Sequence, residues 1–147
     1  MIKIKEFTIA DHSAAHELWY STSGVCTCEK CMLLDTRENI EKYLTRNPAM
    51  SFVAVEEATY AGEKLVGAVL AGHDGRTGLI YRLTVAESYR ERGIGRLLVE
   101  AAVAALKRAG ITNVKAFVLS DNEGGKVFWE KSGFELLVKA TTHNKEI

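Results

Sequence analysis

Apolar and polar positions alternate at the start of the chain, with Ile2 and Ile4 leading to Glu6 and Phe7, and this period of two predicts a first strand. Thr8 and Asp11 stand at the spacing of a helix N-cap with its acidic partner, so a helix is expected to follow as far as Ser21, with Leu18 and Trp19 packed on the sheet. A polar loop carrying three cysteines leads to a second capping arrangement, Asp35-Thr36-Arg37-Glu38. The helix it opens should end at Asn47-Pro48, because a proline disfavours helical backbone in the residue before it. Its charged residues, among them Arg37, Glu38, Glu41 and Lys42, read as a solvated face.

Alternation returns from Ser51 to Glu57, and the turn Ala61 to Lys64 enters an apolar strand from Leu65 to Gly72. Asp74-Gly75 marks a hairpin, and the next strand runs from Thr77 to Val85. Ile94, Leu97, Leu98, Ala101, Ala105 and Leu106 then recur at helical spacing, with Gly110 as the stop. Val114 to Leu119 is expected as a strand, Asp121-Asn122-Glu123 as the cap of a short helix through Glu130, and Phe134 to Lys139 as a closing strand. The predicted order is β-α-α-β-β-β-α-β-α-β. No repeat, low-complexity tract or linker interrupts it.

The 147 residues suffice for one well-filled core and fall short of two ordinary domains, so residues 1–147 are expected to form a single domain. Lysine and arginine total 19, as do aspartate and glutamate, which leaves no global field to gather nucleic acid or anionic membrane. Any anion site must be local. The N-terminus lacks the apolar centre of a signal peptide and the longest apolar run is too short to span a bilayer, so a cytoplasmic protein is expected.

The local anion site is plain in Arg90-Glu91-Arg92-Gly93-Ile94-Gly95, which joins a strand to the start of a long helix. Backbone N–H groups at the positive end of a helix dipole bind an anion without side-chain help, and two glycines keep Cβ atoms out of its way. Arg90, Arg92 and Arg96 add charge. A dinucleotide fingerprint needs its first glycine directly after the strand, whereas seven residues separate Val85 from Gly93 and Leu98 stands at the third-glycine position. No Gly-Lys-Ser/Thr is present to make a nucleoside-triphosphate loop.

The run Leu83 to Leu98 resembles the CoA-binding motif of the GNAT superfamily of acyl-CoA-dependent N-acyltransferases almost position for position. Asp121-Asn122-Glu123 through Val127-Phe128-Trp129-Glu130-Lys131-Ser132-Gly133-Phe134 resembles that family's following motif at the expected distance, and His73-Asp74-Gly75-Arg76 is similar to a turn in a bacterial subset of it. The resemblance spans nearly the whole chain. It implies an α+β fold with a mixed, mostly antiparallel central sheet flanked by about four helices. It also implies acetyl-CoA as co-substrate, with the amides of Arg90, Arg92, Gly93, Ile94, Gly95 and Arg96 around the pyrophosphate. Leu83 and Val85 would pair with the pantetheine arm, and a strand bulge would aim an amide near Val85 at the thioester oxygen. Asn122 and Phe128 would border the cofactor. The implied reaction is transfer of acetyl to a primary amine of a small molecule or peptide by direct attack in a ternary complex; an acyl-CoA sensor with little turnover is the rival. A homodimer is implied by resemblance only.

Acyl transfer to an amine needs a neutral nucleophile and stabilisation of both the oxyanion and the departing thiolate. Many relatives carry a tyrosine acid after the phenylalanine of the second motif, where this chain has Trp129, and two frequent sites of a base glutamate hold Leu79 and Phe117. No catalytic residue is therefore assigned. His73, Asp74 and Tyr81 are the weak candidates for proton handling, with Tyr89 behind them. Cys26, Cys28 and Cys31 lack the paired spacing of a zinc site even with His12 and His16 nearby in sequence, so no metal and no disulfide is expected.

Overall fold

The computed structural model of the chain describes residues 1–58 and 60–147. Five strands form one sheet in chain order: β1 (Ile2–Glu6), β2 (Phe52–Ala58), β3 (Gly62–His73), β4 (Gly78–Val85) and β5 (Val114–Ala116). The first four pair antiparallel and β5 joins β4 in parallel. Five α-helices accompany them among the described residues: α1 (His12–Ser21), α2 (Glu29–Leu34), α3 (Arg37–Arg46), α4 (Ile94–Arg108) and α5 (Glu123–Lys131). The sheet is thus mixed and mostly antiparallel, as expected.

Strand alternation sends side chains to two separate cores. Val53, Val55, Ala68 and Leu70 face α1 and α3, where they meet Ala15, Trp19 and Ile40. Ala54, Val69, Ala71 and Ile80 face α4 and α5, against Leu98, Ala102, Leu106 and Trp129. Trp19 is fully buried and Leu18 is 9% exposed, so α1 packs on the sheet as its apolar spacing requires. Thr36 caps α3 by accepting from the Asn39 N–H at 3.3 Å.

Two expectations are corrected. The cysteine loop contains α2, a helix that the polar reading of residues 22–35 overlooked; Leu33 and Leu34 are good helix formers, and a single helical turn and a half is too short to show periodicity. The closing strand Phe134 to Lys139 is absent. After Gly133, at φ +88°, Phe134 packs on Trp129 at a ring separation of 4.7 Å, while Leu136, Leu137 and Val138 are exposed. Three consecutive apolar residues carry no alternation, and β5 pairs over only three positions. The observed order is β-α-α-α-β-β-β-α-β-α. No helix among the described residues is long and apolar enough to cross a membrane.

Candidate functional site

The cradle forms where β4 hands the chain to α4. Glu91 at φ +62° and Gly93 at φ +77° fold the turn back on itself, and α4 starts with no side-chain cap. Leu97 is the first residue whose N–H returns to a carbonyl of the turn, that of Gly93 at 3.1 Å. The N–H groups of Ile94, Gly95 and Arg96 are therefore left for an external acceptor, at the positive end of a 15-residue helix. The two glycines act differently. Gly93 supplies the left-handed backbone, and a Cβ there would meet nothing within 4 Å; a Cβ on Gly95 would press on the Phe128 ring at 3.2 Å. Phe128 thus packs directly under the first turn of α4.

The arginines are not equivalent. Arg90 Nε donates to the Val85 carbonyl at 3.3 Å and its Nη2 to the Ser23 carbonyl at 3.4 Å, so it bridges the turn to the loop after α1. Arg92 lies over the Tyr89 ring at 4.9 Å. Arg96 turns outward into an exposed pair with Glu100 at 2.7 Å. Tyr89 donates to Glu56, and that hydrogen bond raises the phenol's pKa.

A groove continues from the cradle. β4 and β5 pair only at Gly78, Leu79 and Ile80, after which the two strands part. The Ala86 N–H donates to the Val66 carbonyl directly opposite on β3 at 2.9 Å, so Val85 turns its own N–H and C=O away from β3 toward the gap. Leu83 packs on the same core as Val85. Between Tyr81 and Thr84 the register slips: Ala68 opposes Thr84 and Leu70 opposes Tyr81, which puts one extra residue on β4. The bulge sits at Arg82 and Leu83, with Arg82 at φ +55°, rather than near Val85.

A buried network holds the bulge. Arg82 pairs with Asp35, the side chains being 10% and 8% exposed. It also donates to the Cys26 carbonyl, and to the Tyr20 hydroxyl at 3.2 Å. Tyr20 in turn donates to Asp35 at 2.8 Å, and His12 Nε2 donates to the Asp35 carbonyl at 2.9 Å. The guanidinium lies over Trp19 and Tyr20. Burial, then the bond to Asp35, pushes the Tyr20 pKa far above its usual range. Beside the network, Tyr81 stacks on Phe117 at 5.8 Å and meets Tyr43 of α3 edge-on at 6.4 Å. Burial raises both tyrosine pKa values, and the Tyr43 hydroxyl is buried without a partner among the described residues.

Of the four residues considered for proton handling, Tyr81 alone stands at the parting of β4 and β5. His73 and Asp74 occupy the hairpin at the other end of β4, where they hold the turn together. His73 Nδ1 accepts from the Gly75 N–H at 3.0 Å, and Asp74 accepts from the N–H groups of Arg76 and Thr77 at 2.8 Å. The Thr77 and Arg76 amides hold the Asp74 pKa below its ordinary value. Asn122 caps α5 by accepting from Gly125 at 2.9 Å and donates to the Gly24 carbonyl at 3.4 Å, which ties α5 to the loop after α1. Trp129, 9% exposed between Phe128 and Phe134, belongs to the core and does not line the groove.

The cysteines converge. Cys26 and Cys28 Sγ are 3.3 Å apart, Cys28 and Cys31 Sγ 3.4 Å, and all three lie within 4.8 Å of one another. Backbone N–H groups, that of Cys31 foremost, lower the Cys28 pKa to about 7, while burial raises that of Cys31 to about 12. Asp35, Tyr20 and Arg82 escaped sequence reasoning because Asp35 read as part of a cap and Arg82 as an ordinary strand residue. A charged side chain inside an otherwise apolar strand was the one available signal.

Against known proteins, a model of the acetyltransferase (GNAT) family matches residues 14–134. An acetyltransferase of Sodalis glossinidius is 30% identical over 139 residues, covering 92% of this chain and 88% of the relative. Among solved structures, an acetyltransferase from Streptococcus agalactiae superposes with a TM-score of 0.77 at 19% identity, over 99% of this chain and 90% of the other. The PaiA N-acetyltransferase of Thermoplasma acidophilum, solved in complex with coenzyme A, gives 0.75 at 20% identity over 95% and 93%.

Proposed function

The chain belongs to the acetyltransferase (GNAT) family, whose co-substrate is acetyl-CoA, and from that premise we propose that it acetylates a primary amine by direct attack on the thioester in a ternary complex. The observation that carries this reading is the continuity of the groove. Free amides at the start of α4, outward-facing backbone at Val85, and the bulge at Arg82 and Leu83 follow one another along the chain. A pyrophosphate fits the first, an extended amide-bearing arm fits the second, and a carbonyl oxygen fits an amide exposed at the third.

Within this reading the residues divide the work. The amides of Ile94, Gly95 and Arg96 hold the pyrophosphate, with Arg90 and Arg92 as screening charges. Leu83 and Val85 bind the pantetheine arm as an added strand, and the Leu83 amide stabilises the oxyanion. Val85 must exchange the bond to Arg90 Nε for one to the ligand. Tyr81, kept protonated by burial, donates to the departing thiolate. Asp35, the carboxylate of the network beside the groove, is engaged by Arg82 and Tyr20, so the amine loses its proton to solvent and positioning supplies most of the rate. The PaiA N-acetyltransferase, a protein of this fold, was solved in complex with coenzyme A, which supports CoA as the ligand here.

The test is release of CoA thiol with a panel of primary amines, run beside direct titration of acetyl-CoA. Amine-dependent release, with initial-rate lines that intersect when both substrates are varied, is expected. Tight acetyl-CoA binding without turnover on any amine would turn the assignment into that of an acyl-CoA sensor.

A further inference from the structure

Cys26, Cys28 and Cys31 take no part in the acyl-transfer reading, yet their arrangement is specific. Cys28 lies immediately before α2 and Cys31 one turn inside it, so the helix brings their sulfurs to the same side. The chain then folds Cys26 over both. Packing does not account for this: Cys28 is exposed and the other two are only half-buried, and a thiol is a weak hydrogen-bond partner. The surrounding backbone is also secured. Arg82 donates to the Cys26 carbonyl, the Met32 N–H to that of Cys28 at 3.1 Å, and the Asp35 N–H to that of Cys31 at 3.0 Å. The loop therefore presents three sulfurs whose separations let all of them reach one ion at the roughly 2.3 Å of a zinc–thiolate bond.

We propose that Cys26, Cys28 and Cys31 form a three-thiolate site for a soft d10 metal ion, zinc or copper(I). Thiolate sulfur selects these ions over magnesium, calcium or manganese. Each thiol gives up a proton to solvent on binding, and a zinc ion so held keeps a fourth position for water or another ligand, whereas copper(I) is satisfied by the three sulfurs. The paired spacing whose absence argued against a metal is needed by a four-cysteine site, not by this one. The ion would stiffen the loop that Arg82 anchors beside the β4 bulge. That consequence rests on the acyl-transfer reading, whereas the metal site itself does not.

The experiment uses the full chain, stripped with chelator and held reduced without oxygen. Titration with cobalt(II) should give an intense thiolate-to-metal charge-transfer band that saturates at one ion per chain and is abolished by zinc. A separate arm measures copper(I) against a competing chromophoric ligand and decides which ion is held more tightly. Cys28→Ser and Cys26→Ser should each erase the band and weaken metal binding by more than the roughly 10–100-fold that losing an outer partner costs. Circular dichroism and thermal melting should show both variants folded, since Cys28 is exposed and neither thiol belongs to a core cluster. The proposal is overturned if the reduced protein takes up neither ion, if the band survives in either variant, or if mass mapping shows the thiols active only as a Cys28–Cys31 disulfide.

Discussion

Gly93 and Gly95 stand two residues apart and are glycine for different reasons, which allows the cradle to be tested at a single position. Gly93 has an empty neighbourhood and φ +77°; Gly75 in the hairpin has the same emptiness and φ +92°. Replacing either with aspartate carries a similar backbone cost of about 1–2 kcal/mol. Only Gly93→Asp places a negative charge where a pyrophosphate would bind. Calorimetric titration should therefore show acetyl-CoA affinity lowered more than about tenfold by Gly93→Asp and unchanged by Gly75→Asp, and equal losses would refute the cradle. The Arg82–Asp35 pair makes a second residue-scale prediction. Both groups are nearly buried, so Asp35→Asn leaves the guanidinium without its counter-charge, at a cost of about 3–5 kcal/mol in denaturant unfolding. A well-packed apolar replacement of both residues should recover most of that loss, whereas the bulge and with it acetyl transfer should not recover.

Among the elements, those with long apolar periodicity were legible and those without were not. α4 was evident from Ile94, Leu97, Leu98, Ala101, Ala105 and Leu106, of which Ile94, Leu98, Ala105 and Leu106 are buried while Ala101 is half-buried and Leu97 exposed, and the strand cores followed from alternation. α2 has six residues and Phe134 to Lys139 has no pairing partner, so local pattern carried no information about either. Of the candidate site, the turn at Gly93 and the start of α4 were legible because glycine spacing and helix onset are local. A bulge in β4 was implied by the resemblance but lies at Arg82 and Leu83 rather than near Val85, while Asp35 and Tyr43 were hidden because they depend on contacts between elements far apart in sequence. Asn122 shows both sides. Its role as the α5 cap is local and was expected, while its tie to the Gly24 carbonyl is not local. Asn122→Ala should cost about 1 kcal/mol through the cap alone. Hydrogen exchange should then quicken in α5 and also in the loop around Gly24; an effect confined to α5 would show that the tie contributes nothing.

Across the whole molecule the sheet divides two chemistries. The α4 and α5 face is an apolar core beneath the cradle, and the α1 and α3 face carries Tyr20, Tyr43 and Tyr81, whose pKa values all lie above the ordinary value. Burial leads in each case. A phenol whose folded pKa exceeds its unfolded value near 10 lets the folded state hold a proton that the unfolded state has released. Its contribution is complete below about pH 10 and is lost as pH rises from there toward the folded value, at up to roughly 1.4 kcal/mol per pH unit for each group. Tyr43 isolates one such contribution, because its hydroxyl is buried and unpartnered among the described residues. Tyr43→Phe removes a group that gains no hydrogen bond, so near neutral pH its stability should match the parent within about 1 kcal/mol. Above pH 10 the variant should lose stability less steeply, and the gap between the two should widen in its favour with each increment of pH. Urea unfolding of both proteins between pH 8 and about pH 11 measures this directly, and parallel profiles would mean that Tyr43 ionises as freely in the folded chain as in the unfolded one.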